Sequence, residues 1–473
     1  MLGSSKTFLL SLLMLLAASY ACSSNVNTKI TRGSDYNYEV GLPEFRVSAI
    51  GLFNSDVTPG IDLSLDLVQS SLIYKNRDDL FVGEALIEIE VFDQLNEDKL
   101  TFSTNDSLLI KDASDSIIYS ENVRSYSRFI PTHPSKYTIS VKVTDLGTDK
   151  SLSYSTETPL PDPDSEIADI SHVKLMTKET PGSDFKPITT YNISTNSDTV
   201  RFHFQVTNNK NSELTLRTRL IQYISDTTIA KTATDINYRV SSIQYKGLLY
   251  DEPKIVERFT RNISTNGFFL ISYNFSELEE ANYRFTSELI DQNGTQIAST
   301  IREFSIKGPG YPSITTPKEF AEPLYYLMRK DEYNELMSLE DPEELKEAAD
   351  RFWLSNIQNS QLARDIIRLY YQRVEEANKQ FDSYKEGWKT DPGYIYILFG
   401  PPFAIEYRLD SMIWYYSYNR NDPVKTFRFV QEKMNNKFFP FDNYILQRDS
   451  RYFQEEYSYR RAWLNGSILY QRM

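Results

Sequence analysis

The stretch Ala85-Leu86-Ile87-Glu88-Ile89-Glu90-Val91 decides how the N-terminal half folds. Ala85, Ile87, Ile89 and Val91 fall on one face of an extended chain. Glu84, Glu88 and Glu90 fall on the other, where Leu86 interrupts the alternation. Period two over this length predicts a half-buried strand. Tyr137, Ile139, Val141 and Val143 repeat the pattern against Thr138, Ser140, Lys142 and Thr144. Val200, Phe202, Phe204 and Val206 do so against Arg201, His203 and Gln205. One apolar and one wet face per strand point to antiparallel sandwiches. Pro159-Leu160-Pro161-Asp162-Pro163 reads as a stiff linker between two such regions, and Gly308-Pro309-Gly310-Tyr311-Pro312 ends the second. β-Sandwich-like domains are therefore expected over 42–160 and 165–307. The string Asn-Ile-Ser-Thr-Asn begins at both Asn192 and Asn262, and reads as turn chemistry.

Beyond residue 313 the period becomes helical. Asp341-Pro342-Glu343-Glu344 combines a capping side chain, a first-turn proline and acids at the positive end of a dipole. Leu345, Ala348 and Phe352 follow on one face. A longer helix is expected from Gln361 to Tyr384, its apolar stripe running through Leu362, Ile366, Leu369, Tyr370, Val374, Ala377 and Phe381. Short strands are expected at Tyr394–Phe399, Met412–Tyr416 and Thr426–Val430. The fold class is then multidomain: two antiparallel β-sandwich-like domains, a helical segment and a C-terminal α+β domain, the last two within 314–473.

The chain has 473 residues, a net charge of −14 and one cysteine. That negative charge argues against nucleic acid, whose phosphates would repel it. The 33 Tyr and 27 Phe suit half-buried strands, and only secondarily a glycan or peptide surface. Cys22 closes an apolar leader that begins after Lys6 and runs from Phe8 to Ala18. The run is short for a membrane anchor and suits a secretory signal, expected over 1–21. Ala21-Cys22 resembles the lipobox of bacterial lipoproteins, which implies lipid on the Cys22 thiol and a polar tether over 22–41. Ser23 in place of Asp implies, by the same resemblance, sorting to the outer membrane. The stretch from Ser24 to Thr31 lacks an acidic run, which favours the periplasmic face and leaves surface exposure as the alternative.

The segment Gly387-Trp388-Lys389-Thr390-Asp391-Pro392-Gly393 leads into Tyr394-Ile395-Tyr396-Ile397-Leu398-Phe399 and then Gly400-Pro401-Pro402. Phe352-Trp353, Arg373, Ala377 and Asn378 precede it; Ile413-Trp414-Tyr415-Tyr416 and Phe427-Arg428-Phe429 follow. This order resembles the GWxTD domain family, exported proteins of Bacteroidota and related bacteria. Pro392 departs from the pattern, which often carries Arg there. Two readings of the motif stay open. In one it is structural: Gly387 ends the long helix at positive φ, Trp388 anchors in the core, Thr390 and Asp391 bond nearby amides, and the apolar run enters the sheet. In the other, Asp391 and the Gly400-Pro401-Pro402 loop flank a pocket. Trp388 or Trp414 then serves as a stacking platform, and Arg373 and Asn378 complete the site.

Catalytic signatures are missing. His133, His172 and His203 are scattered through the β regions without metal-ligand spacing, and no phosphate loop, dinucleotide fingerprint or nucleophile elbow occurs. No metal or cofactor is expected. Glu279-Glu280, Glu343-Glu344 and Glu455-Glu456 read as solvated charge. The expected role is a non-enzymatic envelope lipoprotein that binds or scaffolds envelope proteins, tethered to the membrane by its N-terminal lipid. The alternative is a carbohydrate- or peptidoglycan-binding protein with weak hydrolase activity.

Overall fold

The computed structural model describes residues 26–27, 41–119, 121–162, 164–208, 213–238, 247–431 and 443–470. The 1–21 leader, Cys22 and all of the 22–41 tether except Val26–Asn27 and Gly41 lie outside the described residues. Val26–Asn27 pairs antiparallel with Ile405 and Glu406 of a C-terminal sheet.

The first β module joins two sheets. Phe45–Phe53, Pro59–Val68 and Val123–Pro131 form one; Lys75–Arg77, Leu80–Asp93, Lys99–Asp112, Ser135–Asp145 and Lys150–Leu160 form the other. Ile61, Leu63 and Leu65 meet Ile87, Ile89, Val91, Ile139 and Val141 in a single core. The acidic face of Leu80–Asp93 stays outward, as the alternation requires. Pro159 and Leu160 belong to the last strand, with Leu160 buried, and not to a linker.

The second β module is also two-layered. Thr199–Asn208 lies between Lys174–Lys178 and Gly267–Ser276 in one sheet. The other runs Asn192–Ser194, Gln296–Lys307, Ala281–Ile290, Leu214–Ser225, Leu248–Ile263. Aromatic rings fill the gap, Phe202 stacking on Phe285 with centroids 4.2 Å apart. One strand pair is parallel: Asn192 sits opposite Ser305 and Ser194 opposite Lys307. Asn192 is thus a strand residue. The turn expected of its string begins only after Ser194, because the preceding residues find a sheet edge to pair with.

The C-terminal module carries α1 (Pro317–Ala321), α2 (Lys330–Met337), α3 (Pro342–Asn356), α4 (Ser360–Gln380), α5 (Asp391–Phe399) and α6 (Phe453–Asn465). Its sheet orders Ala404–Tyr407, Ser411–Tyr415, Thr426–Gln431 and Tyr444–Leu446. The Asp341 carboxylate caps α3 by accepting from the amides of Glu343 and Glu344. Asn359 caps α4, which stops at Gln380, short of Tyr384. The most buried face of α3 is Leu345, Ala349 and Trp353.

Residues 394–399 are helical, not a strand. All nine residues of α5 are buried. An apolar run without polar interruption has no period to distinguish helix from strand; a helix apolar all round is simply one enclosed on every side. The ends decide it. Thr390 caps the N-terminus, Pro392 sits in the first turn, and Gly400 at φ +84° ends the helix. No helix among the described residues is long and apolar enough to cross a membrane.

Candidate functional site

Gly387–Lys389 form a single 3₁₀ turn between α4 and α5. Gly387 is not in the left-handed region and does not end α4. It is glycine because the turn presses backbone to backbone on α4: a Cβ there would stand 2.0 Å from the Ala377 carbonyl oxygen. The next residue is pinned from both sides. The Trp388 amide donates to Asn378 Oδ1 at 3.1 Å, and its carbonyl accepts from the Tyr326 hydroxyl at 2.7 Å. Thr390 Oγ1 donates to the Gly387 carbonyl at 2.6 Å and accepts from the Gly393 amide at 3.1 Å.

Asp391 reaches across the module instead of to its own turn. Its carboxylate takes both arms of Arg448, at 2.6 and 2.9 Å, and the Leu446 amide at 2.7 Å. Both side chains are almost fully enclosed. A planar guanidinium matches a carboxylate in this two-point way. Burial opposes the Arg448 charge, but Asp391 beside it holds the pKa above the ordinary arginine value. Arg448 has donors left over, and spends them on the carbonyls of Lys231 and Thr232 at 3.0 and 3.1 Å.

Those two carbonyls belong to a loop of the second β module. The same loop bonds through Ala230 N to Lys389 O at 3.0 Å, and through Ala233 N to the Tyr394 hydroxyl at 3.2 Å. Ala230 and Ala233 are part of the C-terminal core. Lys385 completes the seam, donating to Thr228 O at 2.7 Å and lying 3.5 Å from Asp226. Burial pulls the Lys385 pKa down against the pull of Asp226. Arg448 carries no motif signal in Gln447-Arg448-Asp449, so sequence reasoning missed it.

Arg373 and Gly400 form a second cluster. The guanidinium donates weakly to the carbonyls of Ile397 and Leu398, at 3.3 and 3.4 Å, at the negative end of α5. It also lies 5.0 Å over the Trp463 ring. A Cβ on Gly400 would come within 2.8 Å of it. Burial lowers the Arg373 pKa. Asn378 donates to Pro312 O at 2.9 Å. Pro401 is exposed, Pro402 half-buried. Trp414 is fully enclosed against Phe381 and Phe429. Among the described residues the motif side chains thus form neighbouring clamps. Neither Trp388 nor Trp414 offers a face to a sugar, because both indoles fill the core between helices and sheet. Glu456, expected to be solvated, is buried and paired with Arg460 at 2.8 Å. No group of acidic, histidine or cysteine side chains that could hold a metal occurs among the described residues.

The family model of the GWxTD domain matches residues 289–465. The chain carries a GWxTD domain. The match begins inside Ala281–Ile290 and takes in Gln296–Lys307, so the GWxTD segment includes strand residues of the second β module. No curated protein matches the chain. Among solved structures, the crystal structure of red sea bream transglutaminase aligns with 8% identity over 57% of this chain and 32% of that one. Its TM-score is 0.20, too low to carry an argument. A cleft of about 370 Å³ opens where the GWxTD domain meets both β modules, lined among others by Arg46, His172, Arg302, Asn378 and Asp382. Of the candidate site residues, Asn378 lines it.

Two predictions follow from this packing. All four tryptophans, at 353, 388, 414 and 463, are 4% exposed or less. Their emission should be blue-shifted and poorly quenched by acrylamide, and unchanged by added oligosaccharide. A strongly quenched Trp414 would restore it as a stacking platform. The second concerns Glu386, which pairs with Lys389 at 3.0 Å. Burial pushes its carboxyl up, but Lys389 and Lys307 more than cancel this and hold it below the ordinary 4.5. A lowered carboxyl pKa contributes stability above the unfolded value that is lost as pH falls through the folded one. The urea midpoint should therefore drop below about pH 4.5, and Glu386→Gln should lose less on acidification. An unchanged acid slope in that variant would remove Glu386 from the account.

Proposed function

We propose that the protein is an outer-membrane lipoprotein, anchored through Cys22 on the periplasmic face, whose GWxTD domain serves as a non-enzymatic scaffold for envelope proteins. The observation that supports this is the seam: Asp391 and Arg448 hold a loop of the second β module inside the GWxTD core. The motif's polar groups are spent within the chain, and their effect is to join modules. Modules joined this way present their outer surfaces in a constant relation, as a scaffold requires. Crosslinking of the native protein in cells, read by mass spectrometry, should return a reproducible set of envelope proteins. The set should shrink in Cys22→Ser, which removes the thiol that would carry the lipid. Absence of protein partners together with a signal on a glycan or peptidoglycan array would overturn the scaffold reading.

A further inference from the structure

Lys307, Asp382 and Asn192 meet at the edge of the three-module cleft. Lys307 Nζ lies 2.6 Å from Asp382 Oδ1, with both side chains at most 7% exposed. Asn192 Nδ2 donates to the other oxygen of the same carboxylate. An ionised carboxylate only accepts, so the amide nitrogen must face it and the amide oxygen must face away. That oxygen, Asn192 Oδ1, accepts from Ser305 Oγ at 2.6 Å. The strand register explains the gathering. Asn192 is opposite Ser305 in the parallel pair, and Lys307 is two residues further along, on the same face. A lysine is long enough to reach a diagonal neighbour. The Tyr311 hydroxyl donates to Asp382 Oδ1 at 2.8 Å, and the Tyr311 ring covers the ammonium at 4.9 Å. Lys307 also donates to Ser383 O at 3.0 Å.

We propose that this is a self-modification site, at which Lys307 and Asn192 join in an intramolecular amide bond with Asp382 as proton carrier. The chemistry balances without a co-reactant. Asp382 takes a proton from the Lys307 ammonium, turning the ion pair into two neutral groups. The freed Nζ lone pair attacks Asn192 Cγ, and negative charge gathers on Oδ1. Ser305 Oγ already donates there, as an oxyanion donor must. Asp382 returns its proton to Nδ2 and takes the second proton from Nζ. The Cγ–Nδ2 bond breaks, the Nζ–Cγ amide remains, and the departing nitrogen collects the last proton and leaves as ammonium. Asp382 ends ionised, as it began. The cleft, which Asn192, Tyr311 and Asp382 line, gives the ammonium a way out. Holding nucleophile and carbonyl on two paired strands, with the acid from the segment just after α4 packed against them, makes the attack unimolecular, the main requirement for an amide exchange that is slow in solution.

The test is tryptic peptide mapping of the full-length wild-type protein. Trypsin would not cut after an acylated Lys307. The bond therefore predicts one branched species uniting residues 179–201 with 303–318, lighter than its two parts by one ammonia. Lys307→Arg keeps the charge opposite Asp382 and should give only linear peptides, as should Asp382→Asn. Complete cleavage after Lys307 in folded wild-type protein, with an unmodified 179–201 peptide, would overturn the proposal and leave a hydrogen-bonded cluster. A branched peptide persisting in Asp382→Asn would overturn the role given to the carboxylate.

Discussion

Asp391→Ala is expected to destabilise the GWxTD domain by about 3–5 kcal/mol, the cost of leaving one member of a buried pair without its partner. The substitution strands the Arg448 guanidinium in the core and removes the acceptor of the Leu446 amide. All four tryptophans lie in this module, so the urea midpoint by tryptophan emission reports on it alone. Asp391→Asn can still accept from Leu446 and should lose less. In Asp391→Leu/Arg448→Met, which leaves neither charge behind, part of the loss should return; that recovery measures coupling rather than general damage. Wild-type stability in Asp391→Ala would mean the carboxylate is spare and open to a ligand, contrary to the clamp.

Gly387→Ala should cost roughly 3 kcal/mol, the upper end of overpacking, because the new methyl group meets atoms that cannot rotate aside. The nearest are the Ala377 carbonyl oxygen and carbon and the Asn378 Cα, at 2.0 to 2.8 Å. Relief requires moving the turn off α4, which breaks the Trp388 amide bond to Asn378. Gly182→Ala is the matched control. Nothing lies within 4 Å of a Cβ at Gly182, so that change should be neutral or slightly stabilising. Equal midpoints for the two variants would show that the turn floats above α4 and that the glycine answers to something else.

The β modules were legible because their strands are wet on one face: Ile87, Ile89 and Val91 alternate with glutamates, and period two leaves one solution. The cap at Asp341 was legible because its chemistry is local. Residues 394–399 were not, since enclosure on all sides erases the pattern that separates helix from strand. Here the deciding signals stood outside the run, at Thr390 and Gly400. The site was half legible. Trp388, Thr390 and Asp391 could be singled out together, but their roles depended on partners far along the chain. Arg448 is an ordinary arginine until the fold brings it to Asp391, and Lys307 is an ordinary strand end until Asn192 and Asp382 arrive.

The loop carrying Lys231 and Thr232 has a bearing on the order of assembly. Arg448 grips Lys231 from 217 positions away, and Asp449 holds Ala233 by a backbone bond. A growing chain emits the loop long before it emits the residues that hold it. The second sandwich can close its own sheets early, but its loop must wait, with Ala230 and Ala233 uncovered, until Arg448 and Asp449 exist. Contacts of such separation form late and slowly. Nascent chains stopped before Arg448 should accordingly expose this loop to a protease, whereas the finished protein should shield it.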